Sequence, residues 1–384
     1  MENYNTNLFD KYTKDNKEDA DLWYRARHYV LKTLAPIDKD GIDYKSSDHV
    51  HVILENTSDI LQAVARQIAL IAHYPNYQEC KGKNRTVITF CECKDIMLDT
   101  DKKIIVHKFE SQMFGNLLNF CRCTYYCAKK EKLISMIQEE SKLLPLDVEF
   151  VFTTESVGDY MNRMEAPQDS AVVIKETDIP DEYDKTLDES KGRLVNMVYT
   201  VGSDIDNLPP TDNANISRYN TALKTFCYNL KNENIDEKWN KGSITDKLSS
   251  IFCADCFESR LKGVVDINEK SLYEYLLTDF ETVIEKLCDE VVITALVKSE
   301  HARWNVEKLI LGFRPLNAEE RFKDESLFGK EKSDNRKDLK KNKKTHVDLC
   351  SYKELRRVDI GNMKYDYFLM LAMPQILLSY FKNH

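Results

Sequence analysis

The chain has 384 residues, 42% of them hydrophobic and 31% charged, with a formal net charge of −9. That is too long for one typical core, and it fits two or three domains of a folded, soluble protein rather than a disordered one. The negative balance excludes a global field for DNA or anionic lipid. A phosphate site therefore has to be a local basic patch, and neither a membrane nor nucleic acid is expected as a direct partner.

No stretch reaches the roughly 18 uninterrupted apolar residues of a membrane span. The opening "MENYNTNLFDKYTKDNKEDADLW" is acidic and polar, unlike a secretory signal. The eleven cysteines are odd in number and many lie in apolar runs. This argues against a disulfide framework and for a reducing, cytoplasmic setting.

In chain order, residues 17–33 read as a first helix, with Leu22, Tyr24, Ala26, Tyr29 and Val30 toward one side. "HVHVILEN" is a short β-branched run and reads as a buried strand. "TSDILQAVARQIALIAHYP" follows as a helix, with Thr57 or Ser58 as its cap, Asp59 at its positive end, and Pro75 as its stop. "RTVITFCE", "KIIVHKF", "DVEFVFTTE" and "RLVNMVYTVG" read as further strands, and 111–142 as largely helical. Strands alternating with helices predict an α/β fold with a parallel sheet. Residues 178–190 read as an exposed acidic loop. Past residue 202 the strand texture disappears. Helices are expected from Asp212 to about residue 230, over 243–262 and over 271–311, and in the apolar terminal run "YDYFLMLAMPQILLSYF". Residues 323–344, dominated by Lys and acidic residues, read as a solvated loop. The domain division is 1–45 (N-terminal helical extension), 46–202 (Rossmann-like α/β domain), 203–280 (helical connector) and 281–384 (a mainly α-helical C-terminal domain).

The layout of "HVHVILENTSDILQAVARQIALIA" with "RTVITFCE" resembles the nucleotide-binding domain of bacterial potassium-uptake regulators. The resemblance implies that Thr57 and Ser58 would face a dinucleotide at the helix N-terminus, and that Glu92 would contact its ribose. The turn at Glu55–Ser58 carries no glycine, however, which argues against NAD. No cofactor is expected. Cys91, Cys93, Cys121, Cys123 and Cys127 could ligate zinc, with the first pair on a strand face and the last pair on a helix face. Their spacing is not that of a zinc ribbon or knuckle, so they read as structural and no metal is expected. Cys253 and Cys256 form a lone CxxC read as helix packing. Asp204, Asp206 and Asp212 lack the pattern of a calcium loop.

The densest chemistry lies in "SEHARWNVEKLILGFRP", residues 299–315. On a helix Glu300, Arg303, Trp304 and Glu307 share one side, with His301 and Lys308 flanking. Gly312 ends the helix, and Phe313 and Arg314 leave it in extended form. Downstream lies "THVDLCSYKEL", with His346, Asp348 and Tyr352. The order His, Arg, Trp, Gly-aromatic-Arg-Pro, charged loop, His-x-Asp-Leu-x-x-Tyr, and a terminal helix with Pro-x-Ile-Leu resembles the ryanodine receptor repeat domain in its bacterial soluble form, over roughly residues 290–378. A long Lys-rich insertion, and Cys350-Ser351 where the family has Val-Pro, depart from the pattern. The resemblance implies a sensor of a nucleotide-derived small molecule, in bacterial signalling or antiphage defence. The expected ligand groove has two walls, the two quoted segments. Trp304 or Tyr352 would stack on a base. Arg303, Arg314 and Lys308 would meet phosphate, and His301, His346 and Asp348 would read polar edges. Glu300 and Phe313 complete the set. Two alternatives stay open. One is an enzyme cleaving or modifying a nucleotide with Glu300, His301 or Asp348 as acid/base. The other is a homo-oligomeric scaffold. No nucleophile elbow, P-loop or zinc-hydrolase helix is present in the sequence, which favours binding over catalysis.

Overall fold

The computed structural model describes residues 17–33, 41–93, 96–98, 104–106, 114–127, 132–136, 144–164, 171–183, 188–202, 221, 224, 226, 235–267 and 270–383. The first half runs α1 (Lys17–His28), β1 (His51–Leu54), α2 (Asp59–Ile71), β2 (Thr86–Phe90), β3 (Ile96–Leu98), β4 (Ile104–Val106), α3 (Leu117–Phe120), β5 (Arg122–Cys127), β6 (Lys132–Met136), β7 (Val148–Thr153), α4 (Val157–Met164), β8 (Ala171–Ile174) and α5 (Ser190–Gly202). The second runs α6 (Ile235–Lys241), α7 (Ile244–Asp255), α8 (Phe257–Lys262), α9 (Leu272–Thr278), α10 (Phe280–Leu287), α11 (Glu290–Ile310), α12 (Ala318–Ser326), α13 (Gly329–Lys343), α14 (Tyr352–Val358) and α15 (Ile360–Phe381).

The sheet order is β6-β5-β7-β2-β1-β8. All neighbours pair parallel except β6, which returns antiparallel on β5 at the edge. An α/β architecture with a parallel sheet therefore holds. Strand alternation separates two faces. Val52, Leu54, Ile88, Phe90, Val148, Phe150 and Phe152 face the main core, while Ile53 and Val151 pack with Tyr160 of α4 on the other side. Helix α2 is buried from Ile60 to Leu70 because the sheet, α1, α7 and α11 surround it. That enclosure accounts for its being apolar nearly all round.

A second core is helical. Helix α15, also apolar nearly all round, contributes Met363 to Leu378 and packs against α5, α9, α10, α11 and α14. Helix α11 serves both cores: Val292, Ile293, Leu296 and Val297 lie in the helical one, and Val306, Leu309 and Ile310 in the one beneath the sheet.

Several sequence expectations are corrected. "RLVNMVYTVG" lies in helix α5, not a strand. Its Val195 and Val198, with Leu194 and Tyr199, sit at helical spacing against the second core. The expected helix over 111–142 is, in the described residues, the four-residue α3 followed by the β5–β6 hairpin, where Thr, Tyr and Cys favour strand. "KIIVHKF" does supply a strand, β4, but it pairs with β3 outside the main sheet. Strand β8 has no counterpart among the strands expected from the sequence. Residues 323–344, read as a loop, form the end of α12 and all of α13. The helix expected from Asp212, and Asp204 and Asp206, lie at residues outside those described, apart from isolated positions near its C-terminal end.

Candidate functional site

Long side chains of α11 at i, i+3 and i+4 spacing meet inside the protein. Glu300 receives Arg303 Nη2 at 2.9 Å and Arg260 Nη1 of α8 at 2.6 Å. Glu307 receives Arg303 Nη1 at 2.7 Å, Lys308 Nζ at 2.6 Å and the Ser249 hydroxyl of α7 at 2.8 Å. Burial alone would raise the Glu300 carboxyl, but Arg303 and Arg260 overcome it and hold it at about 2. Arg303 and Arg260 are both 0% exposed. The phosphate contact expected of Arg303 is corrected accordingly: its charge is neutralised within the protein, and Glu300 and Lys308 belong to the same network. Ser299 donates to the backbone oxygen of His73, which ties this node to the end of α2.

The two sequence blocks do come together. Arg314 N donates to Lys344 O at 2.9 Å and His346 N to Arg314 O at 3.1 Å, a backbone bridge that seats "GFRP" against "THVDL". The aromatic residues form a continuous row. His301 stacks on Trp304 at 6.1 Å, Trp304 meets His346 edge-on at 4.9 Å, and Phe313 closes on His346 at 6.3 Å. Tyr352 meets His301 edge-on and reaches Tyr367 through its hydroxyl. Trp304 therefore buttresses the two imidazoles, and the other aromatic faces are engaged in this row. His301 is buried, which pushes its pKa down to about 4, so it is a neutral ring donating to Cys350 O at 2.8 Å. Arg314 was expected to be free for phosphate, but it forks onto Glu320 of α12 at 2.7 and 2.8 Å.

Beside this row opens a cavity of about 430 Å³. One wall is the stripe Lys332, Arg336, Lys337 and Lys340, spaced i, i+4, i+5 and i+8 along α13. The other wall is His346, Val347 and Asp348, with Asp359 and Asn362 at the floor. Lys344, in the left-handed region at φ 46, turns the chain sharply from α13 back to His346. Arg336 is held by Asp324 at 2.8 Å and Asp359 at 3.0 Å, whereas Lys337 and Lys340 project into solvent. Burial lowers His346 to about 3, with Lys340, Lys308 and Arg336 adding to the effect. The Asp348 N–H donates to its Nδ1, so the ring's own proton sits on Nε2. Asp348 is 5% exposed. Its Oδ2 accepts from Asn362 at 2.7 Å, and its buried Oδ1 has no partner. Burial, helped by Asp359, raises its carboxyl to about 7. Of the expected site residues, His346 and Asp348 line this cavity. The α13 basic residues and Asn362 were not foreseen. The signal for the former was the i, i+4, i+8 recurrence of cations in "GKEKSDNRKDLKKNK".

The turn after β1 is built differently from a phosphate cradle. Asn56 Oδ1 caps the Ser58 N–H, Thr57 O accepts from Gln62, and Glu55 accepts from Glu176 N. Glu92, at φ 48 just past β2, donates its N–H to Glu155 O. Glu55, Glu92 and Glu155 thus follow the carboxyl ends of β1, β2 and β7, and Arg163 is already paired to Glu155. A pyrophosphate there would meet the carboxylates that follow these strands.

The cysteine set is divided by the sheet: Cys91 packs on the α4 side, Cys93 and Cys121 in the main core. Cys123 and Cys127 lie on β5, not on a helix. Burial pushes the Cys91, Cys93 and Cys123 thiols up to about 12. Cys253 and Cys256 are buried at the α7–α8 junction. Among the described residues, no helix is long and apolar enough to cross a membrane. In comparisons with protein-family models, with curated proteins and with solved structures, nothing matches this chain.

Proposed function

We propose that this protein binds a phosphate-bearing, nucleotide-derived small molecule and acts as its sensor, with the cavity between α13 and His346–Asp348 as the site. The observation that carries the reading is the pairing of unlike walls. Lys337 and Lys340 are solvent-facing cations on one side, and a neutral imidazole with a buried carboxyl stands on the other. Ammonium groups suit phosphate oxygens, and His346 and Asp348 suit the polar edge of a base or a ribose. A cavity of about 430 Å³ falls within the usual range for small-molecule sites, about 300–1,000 Å³. Compared with the groove expected from the sequence, the lysines take over the part assigned to Arg303 and Arg314.

A thermal-shift panel of nucleoside mono-, di- and triphosphates tests this, run on wild type and on a Lys337→Gln/Lys340→Gln variant. Both lysines are exposed, so the variant should fold normally. The reading expects stabilisation of the wild type by at least one nucleotide, reduced in the variant. Equal stabilisation of both proteins would remove the cavity from consideration. An enzymatic reading retains one supporting observation, the Asp348 carboxyl near 7 at the cavity wall, where a general acid or base would titrate. Breakdown of the nucleotide during incubation, lost in Asp348→Asn, would favour that reading.

A further inference from the structure

Resting on that binding reading, the chemistry of the two walls narrows the ligand. The charged side chains that helix α13 presents to the cavity are all cations: Lys332 and Arg336 are tethered to Asp324, while Lys337 and Lys340 have no carboxylate within ion-pair distance among the described residues. A phosphate meets this face without displacing anything. The opposite wall is a poor place for a phosphate. Asp348 and Asp359 both line it, and Asp359 is bound to Arg336. What Asp348 lacks is a donor. One of its oxygens accepts from Asn362 and the other, buried, accepts from nothing. A buried acceptor left unmatched is unfavourable, and a ligand N–H or O–H reaching it relieves that cost.

We infer that the cavity takes a ligand with two unlike ends, a phosphate end on Lys337 and Lys340 and a donor end, bearing hydroxyl or amine hydrogens, on Asp348. Inorganic phosphates can offer Asp348 only a P–OH on a charged group, which also meets Asp359 on that wall, and unphosphorylated nucleosides leave the lysines unmatched. Nucleoside phosphates and simple sugar phosphates supply both ends. Asp348 is then the residue that sets selectivity for the organic end, and the lysines set affinity for any phosphate. The Asn362 amide engages Oδ2 and so fixes Oδ1 as the carboxyl oxygen without a partner. In an Asp348→Asn variant, the amide oxygen is drawn to the Asn362 donor, which turns the NH2 toward the position where the ligand also presents a donor.

Calorimetric titration of the 384-residue chain with pyrophosphate, ribose 5-phosphate and ADP tests this. In the wild type ADP or ribose 5-phosphate should bind at least about tenfold more tightly than pyrophosphate, the worth of one hydrogen bond to a carboxyl. Asp348→Asn should remove that preference by weakening ADP and ribose 5-phosphate, while pyrophosphate binds at least as tightly as it does to wild type. A preference for either organic phosphate over pyrophosphate supports the inference, whether the donor lies on the base or on the sugar. Pyrophosphate binding as tightly as the organic phosphates in the wild type would overturn it while leaving the site standing, and so would a preference that survives Asp348→Asn in a variant melting like wild type. Binding of none of the three would overturn the inference together with the reading beneath it.

Discussion

Replacing Glu300 by Gln removes one negative charge from a buried node while keeping its shape and much of its hydrogen bonding. Arg260 would then lose its ion-pair partner, and Arg303 would share Glu307 with Lys308, both arginines being 0% exposed. Breaking a buried pair by removing one partner typically costs about 3–5 kcal/mol, because a charge is left uncompensated. The carboxyl's own displacement gives a second route to the number: from 4.5 to about 2, at about 1.4 kcal/mol per pH unit, is roughly 3 kcal/mol. The sign follows from the depressed value. The contribution is fully present above the unfolded carboxylate value and is lost as pH falls from about 4.5 through about 2. Urea unfolding followed by tryptophan fluorescence and circular dichroism should place Glu300→Gln about 3 kcal/mol below wild type at pH 7, with the gap shrinking below pH 4.5. The exposed pair Lys241–Glu237, at 74% and 59% exposure, is the control, and Glu237→Gln should show no measurable change. A Glu300→Gln protein within about 1 kcal/mol of wild type, or a gap that widens on acidification, would refute the account of α11 as an ion-paired node.

Other outcomes follow from the same contacts. Asp348 holds a proton in the folded state up to about 7 that the unfolded chain releases near 3.8, so raising pH between those values costs stability, and Asp348→Asn should gain on wild type from pH 5 to pH 8 in urea midpoints. Leu339 is the buried side chain of α13, and Leu339→Ala removes a side chain of a kind worth about 2–5 kcal/mol when buried. The loss should appear as faster amide exchange confined to 329–343 and the cavity wall. Arg314→Ala should weaken the docking of α12 by about 1 kcal/mol, since the arginine is 35% exposed, and leave nucleotide affinity nearly unchanged. Thiol titration of the native protein should reach exposed Cys80 first, with Cys91, Cys93, Cys121, Cys253 and Cys256 reacting only on unfolding; early reaction of the buried set would contradict their packing.

What could be read from the sequence followed from strong periodicity. "HVHVILEN" and the run after it gave β1 and α2 because β-branched residues and then an apolar helix differ sharply in texture, although Ser58 at the N-cap makes no side-chain cap hydrogen bond. "RLVNMVYTVG" misled because Val and Tyr favour strands in isolation, while its place against α7 and α15 decides for helix. Helix α13 escaped notice because Leu339 is its one buried side chain, so no apolar stripe announces it, and high helix propensity with ion pairs holds it instead. At the site, bringing His346 beside Trp304 and Phe313 was legible from motif order. The fate of the charges was not. Arg303 and Arg314 look alike in a sequence, and only the positions of Glu300, Glu307 and Glu320 in space reveal that both are already neutralised.

The central claim is that α13 and the His346–Asp348 segment enclose a site for a phosphate-bearing small molecule. Native mass spectrometry of the protein as purified, followed by release and identification of any bound compound, tests it most directly when wild type is compared with Lys337→Gln/Lys340→Gln. The account predicts a phosphorylated adduct on the wild type that is depleted in the variant and released intact. An adduct retained equally by both proteins, or one that carries no phosphate, would contradict it.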